Sequence, residues 1–176
     1  LPDDSQDFVI ASHFLEHCEN PIATLANHCR VLRPGGRLLI AVPNTANPAS
    51  YDHGRVLTSF DHLVRDDAEG PAVSREEHYG EWVTFAGKMS GAIADTEKKK
   101  LMAMNYSIHF HCWIEETFHA FIEQATRFKN LPLKMVEHYA NEYEVAVVLR
   151  KDAAPVATNG AGFVSRWLRL VARRPG

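Results

Sequence analysis

At 176 residues, with 45% apolar and 23% charged content, the chain is long enough for one domain with a sizeable core and has an ordinary globular composition. A formal charge of −3 supplies no basic excess for nucleic acid, and no apolar run reaches the roughly 18 residues of a membrane span. The three cysteines, Cys18, Cys29 and Cys112, lack zinc-ligand spacing and predict reduced thiols in a cytoplasmic protein.

In chain order, residues 7–11 (DFVIA) form a short apolar run without alternation, as expected of a strand buried on both faces. Asn20-Pro21 opens a helix: Asn20 can cap it, and proline suits the first helical position. Ile22, Leu25, Ala26, Cys29 and Leu32 follow at helical spacing, and Pro34-Gly35-Gly36 stops the helix. Residues 38–42 (LLIAV) predict a second buried strand. Two buried strands joined by a helical crossover make a parallel βαβ unit. In open parallel sheets ligands bind beyond the carboxyl ends of the strands. Those ends carry Ser12, His13, Glu16 and His17 after the first strand, and Pro43, Asn44 and Thr45 after the second.

Residues 45–111 read as an insertion. It starts as a polar loop containing Asp52, His53 and Arg55, with a short helix around residues 58–63. Ser74-Arg75-Glu76-Glu77 has the capping-box pattern, and Trp82, Val83, Ala86, Met89 and Ile93 predict a single helix over about 74–94. Glu97-Lys98-Lys99-Lys100 reads as a solvated face or loop. Alternation over 106–111 predicts an extended segment with Ile108 and Phe110 on one side and His109 and His111 on the other. A helix over about 114–128 follows, its apolar stripe made of Ile114, Phe118, Phe121, Ile122, Ala125 and Phe128. Residues 133–139 and 142–149 predict two strands whose short connection demands an antiparallel pair. Residues 152–162 read as a linker. Residues 163–174 read as a basic amphipathic tail, for which peripheral contact with an anionic membrane is an expectation.

The run DFVIASHFLEHCENP…RVLRPGGRLLIAVPN resembles the fourth strand, following helix and fifth strand of class I S-adenosylmethionine-dependent methyltransferases of the type 11 group. The pieces that carry it are Asp7, the Leu15-Glu16-His17 turn and Arg30-Val31-Leu32-Arg33-Pro34-Gly35-Gly36. The resemblance implies an α/β, Rossmann-like sheet with a helical insertion, closed by the C-terminal antiparallel hairpin. It also implies that the first half of the sheet, with its glycine-rich loop and ribose-binding acid, lies outside residues 1–151, the expected partial domain. No GxGxG occurs in the chain.

On the same resemblance the cofactor is S-adenosylmethionine, and Ser12, His13 and His17 border it. The expected reaction is methyl transfer to a polar small molecule or glycan. Asn44, Arg55 and His62 are candidate acceptor-binding residues, because a long insertion in a compact domain is usually functional. His109 and His111 are candidate catalytic bases, since imidazole titrates near neutrality. As metal ligands, an HxH pair needs a third partner, and no metal site is assigned. Two other readings compete: a non-catalytic remnant or partner subunit, and a metal-dependent hydrolase using His109, His111 and one of His13, His53 or His62.

Overall fold

The computed structural model describes residues 1–153. Their order is β1 (Gln6–Ser12), a 3-10 turn (Leu15–His17), α1 (Pro21–Val31), β2 (Leu32–Pro43), α2 (Phe60–Glu69), a second 3-10 turn (Pro71–Val73), α3 (Arg75–Phe85), α4 (Gly91–Ala103), α5 (Glu115–Phe128), β3 (Leu133–Ala140) and β4 (Glu144–Lys151). Residues 163–174, expected as a basic amphipathic tail, and most of the expected linker lie outside the described residues. Among the described residues no helix is long and apolar enough to cross a membrane.

Helix α1 starts as its sequence demands. The Asn20 side chain accepts from the Ala23 N–H at 2.8 Å, with Pro21 just inside the cap. At its other end Lys151 Nζ donates to the carbonyls of Cys29 and Leu32, at 2.8 and 2.7 Å. A cation there complements the helix dipole and pins β4 to α1.

The sheet order is β1-β2-β4-β3. Strand β2 is parallel to β1, and β4 is antiparallel to both β2 and β3. The carboxyl ends of β1, β2 and β3 therefore share one edge with the start of β4. This is a mixed Rossmann-like sheet closed by an antiparallel hairpin. Leu38, Ile40 and Val42 of β2 and Val145, Val147 and Leu149 of β4 face one side. There they pack with Ile22, Leu25 and Cys29 of α1 and Phe118, Phe121, Ile122 and Ala125 of α5. Each fully buried aliphatic side chain contributes about 1.5–3 kcal/mol. Leu63 of α2 and Trp113 join the same cluster, which anchors both ends of the insertion in the main core. A second, smaller cluster of Tyr79, Ile108 and Phe110 holds α3 to the segment before α5.

Four local expectations are corrected. Strand β1 is covered on one face only: it is the edge strand, and Phe8 and Ile10 are 66% and 64% exposed. The single helix expected over 74–94 is two. Helix α3 ends at Phe85 and α4 begins at Gly91; the Glu97–Lys100 run lies within α4, with Lys99 and Lys100 exposed and Glu97 and Lys98 half-buried. Gly91 has φ +59, a conformation that breaks a right-handed helix. Ser74 makes no capping bond and instead donates to Asp66 Oδ2 at 2.6 Å. Residues 106–111 form no strand: the N–H groups of Phe110 and His111 both reach the Glu16 carbonyl, at 2.7 and 3.3 Å. Two donors on one acceptor bend the chain, so strand alternation does not govern this segment, and His111 is buried at 1% exposure.

Candidate active site

The 3-10 turn after β1 and the 107–111 segment meet at the carboxyl edge of the sheet. His13, the first residue past β1, has φ +48, a left-handed conformation that non-glycine residues rarely adopt and that accumulates at functional sites. Its N–H is held by the Ala41 carbonyl at 2.9 Å, and its ring lies 3.5 Å from Glu16 and 3.4 Å from Glu144. Ser12 beside it is exposed.

Glu16 is buried at 1% exposure, and neither carboxylate oxygen has a hydrogen-bond partner. Burial pushes its carboxyl up from the ordinary range, against the opposing pull of His109 and His13. His17 donates Nδ1–H to the Ile108 carbonyl at 2.9 Å, which leaves Nε2 unprotonated in the neutral ring. Burial and the neighbouring His109 hold His17 below the usual imidazole range. The rings of His17 and His109 meet edge to face, centroids 4.6 Å apart.

His109 is the centre of this group. Its Nδ1 lies 2.6 Å from Asp52 Oδ2. The other Asp52 oxygen accepts from Arg55 Nη1 at 2.6 Å, and Arg55 also reaches the His109 carbonyl at 2.9 Å and Glu81 at 2.9 Å. Burial opposes ionisation of Asp52, but the His109 hydrogen bond and the Arg55 charge outweigh it, so its carboxyl titrates below the ordinary range. A carboxylate that accepts Nδ1–H fixes one tautomer and leaves His109 Nε2 with the free lone pair. Trp82 covers the His109 ring at 5.4 Å and the Arg55 guanidinium at 5.7 Å.

The structure separates the candidates that the sequence grouped. His109 and His111 do not share a site. His109 gathers with Glu16 and His17, whereas His111 gathers with His62 and His78. A hydrolase metal centre built on His109 and His111 together is therefore not assembled. Arg55, expected to bind the acceptor, is enclosed, with its side chain at 0% exposure. Asn44 uses its amide on the hairpin and on its own loop: Nδ2 donates to Asn141 O at 2.8 Å and Oδ1 accepts from Ala46 N–H at 3.1 Å. Among the residues that the sequence left out of the site are Glu81 and His78, which approach it only through the fold of α3. Asp66 carried a readable signal, since it lies four residues after His62 on one face of α2. A groove of about 320 Å³ between α3 and α4, lined by Trp82, Val83, Met89, Leu101, Met104 and Tyr106 among others, borders the site through Trp82.

Residues 1–40 match the family described as Methyltransferase domain, under a quarter of the chain. No curated protein matches the chain. Several solved structures share its outline. A putative methyltransferase in complex with the Trm112 activator from Haloferax volcanii is 14% identical with a TM-score of 0.43, over 87% of this chain and 57% of that one. A putative methyltransferase from Bacillus halodurans is 11% identical with a TM-score of 0.40, over 87% of this chain and 73% of its own. An arsenic(III) S-adenosylmethionine methyltransferase from Chlamydomonas reinhardtii is 13% identical with a TM-score of 0.38, over 89% of this chain and 40% of its own. The chain thus spans 57% of the Haloferax protein's length.

Proposed function

We propose that this chain forms part of an S-adenosylmethionine-dependent methyltransferase site, with His109 as the general base acting on a polar small-molecule or glycan acceptor. The observation that carries the reading is the 2.6 Å His109–Asp52 pair, set beside His17 and Glu16 just past the carboxyl end of β1. The match of residues 1–40 to the methyltransferase domain family supports it, because those residues include β1 and the turn on which Glu16 and His17 lie.

The donor set fits the cofactor in part. Glu16 presents two buried, unpartnered carboxylate oxygens, the complement of a cationic group. Ser12 and His13 form an exposed polar lip on the same edge and would hold the cofactor there. S-adenosylmethionine, when bound, supplies an electrophilic methyl carbon on a cationic sulfur. The protein's own task is then orientation and proton removal. Asp52 holds the His109 ring with Nδ1 protonated. His109 Nε2 would take the proton of the acceptor hydroxyl or amine, which the methyl group replaces as its bond to sulfur breaks and leaves a neutral thioether. Arg55 and Glu81 hold Asp52 in place, and His17 closes one side of the His109 ring.

The test uses the full-length protein with S-adenosylmethionine. Calorimetric titration measures cofactor binding, and single-turnover assays against a panel of sugars and hydroxy acids measure transfer. His109→Gln should lower transfer about 10²–10⁴-fold, the usual contribution of a positioned base, while leaving cofactor affinity nearly unchanged. Transfer that is insensitive to His109→Gln removes the base. No cofactor binding at all removes the methyltransferase and leaves the non-catalytic remnant.

A further inference from the structure

His62, His78 and His111 meet away from the His109 pair, and each comes from a different element. His62 lies on α2, His78 on α3, and His111 on the bent segment before α5. One nitrogen from each ring lies within 4.8 Å of the other two. His62 Nε2 and His78 Nε2 are 3.1 Å apart, and the His111 ring sits 5.0 Å from that of His78 and 5.8 Å from that of His62. Two nitrogens each about 2.0–2.1 Å from one tetrahedral zinc ion are about 3.3 Å apart, so the His62–His78 spacing is already that of a coordination edge.

A second observation is independent of that spacing. His111 is 1% exposed, and neither of its ring nitrogens makes a hydrogen bond. Leaving a buried polar group unpaired costs about 1–3 kcal/mol, and an unseen ion is among the few physical reasons a native protein has for doing so. Asp66 supplies a carboxylate at the same place. Its Oδ2 lies 3.1 Å from His62 Nε2 and 4.0 Å from His78 Nε2, is oriented by Ser74 Oγ at 2.6 Å, and its side chain is fully buried.

We infer that His62, His78 and His111 bind one divalent first-row transition metal ion, zinc being the type case, with Asp66 as the adjacent carboxylate. The donor chemistry is that of an imidazole site, which suits zinc, copper, iron or nickel over magnesium or calcium. One contact requires adjustment. Arg65 Nη2 lies 3.3 Å from His62 Nδ1, a nitrogen that carries the proton once Nε2 binds metal. Arg65 has 44% of its side chain exposed, and turning to solvent would give up its 3.6 Å contact between Nε and Asp66 Oδ1. The ion would enter past His62, whose side chain is 21% exposed against 9% for His78. It ties α2 and α3 to the segment that carries His109, and it is independent of whether methyl transfer takes place.

The test titrates the full-length protein, stripped with chelator, with cobalt(II) and then zinc(II) chloride. One equivalent of cobalt should bind with the intense visible absorption of a four-coordinate site, and zinc should displace it. His62→Ala, at the most exposed of the three ligands, should weaken binding by about 100-fold or more, beyond the 10–100-fold typical of an outer-shell partner. Asp66→Asn should fall within that 10–100-fold range. His109→Ala should leave this equivalent in place, which separates it from the Glu16, His17 and His109 group. Zinc-edge X-ray absorption on the wild-type protein needs no variant and should show about three imidazole nitrogens at about 2.0–2.1 Å. Absence of saturable binding at micromolar metal overturns the site. So does an equivalent that survives His62→Ala, one lost in His109→Ala, or a coordination shell without three imidazoles.

Discussion

Replacing Asp52 by Asn tests the electrostatic core of the site. Asp52 and Arg55 have side-chain exposures of 2% and 0%, so solvent does not screen their 2.6 Å pair. Breaking a buried pair of this kind costs about 3–5 kcal/mol, chiefly by leaving the other charge uncompensated. Arg55 keeps Glu81 at 2.9 Å, itself only 22% exposed, which puts the loss at the lower end, about 3 kcal/mol. Against a typical domain stability of about 5–15 kcal/mol, the variant remains folded. Urea unfolding followed by circular dichroism reads the change as a lower midpoint with an unchanged slope. The pH dependence gives the sign. The folded Asp52 carboxyl titrates below its ordinary value of 3.8, so its contribution is fully present above that value and is lost as pH falls through the folded one. The stability gap between wild type and variant should stay constant from pH 7 to about 4 and narrow below it. A loss under about 1 kcal/mol, the range of an exposed pair, would refute the buried-pair reasoning. A gap that persists unchanged through the acid limb would refute it equally.

Two other substitutions probe separate parts of the same edge. Glu16→Met should raise stability at pH 7 by about 1–3 kcal/mol, because it removes a buried carboxylate whose oxygens make no hydrogen bond. The folded Glu16 carboxyl is raised, so its penalty is present at high pH and vanishes below its ordinary 4.5; melting curves at pH 7 and pH 4 should show the gain shrinking. An unchanged melting temperature at pH 7 would mean that Glu16 has a partner after all. Gly36→Ala should cost about 1–3 kcal/mol, since a Cβ there would sit 2.9 to 3.1 Å from the carbonyl oxygens of Arg33, Asp7 and Gln6. Those are backbone atoms of the β1–β2 junction and cannot rotate away, so a neutral effect in chemical denaturation would contradict the packing.

Much of the frame is written locally. Asn20 and Pro21 specify where α1 begins, and the apolar stripe of α5 names four of the residues it buries: Phe118, Phe121, Ile122 and Ala125. The short connection after residue 139 requires the antiparallel hairpin, which the β3–β4 ladder shows. The insertion was less legible. Its apolar residues are too sparse to mark where one helix stops and the next starts, so Trp82 and Ile93 read as one face although they lie on α3 and α4. His109 and His111 show the same limit at the site. Alternation assigns them to one side, but two backbone donors converging on the Glu16 carbonyl bend the segment and send the rings to different clusters.

By itself the sequence determined the βαβ start, the closing hairpin and the edge where polar residues gather, because capping, turn length and hydrophobic period act between residues close in the chain. Only the tertiary structure decided which side chains share a site. The His109–Asp52 bond spans 57 positions, and the His62–His78 contact joins two helices separated by a turn. Such pairings are fixed by how α2 and α3 pack against the segment before α5. That packing depends on the shared burial of Leu63, Tyr79, Ile108, Phe110 and Trp113, and no periodicity along the chain encodes it.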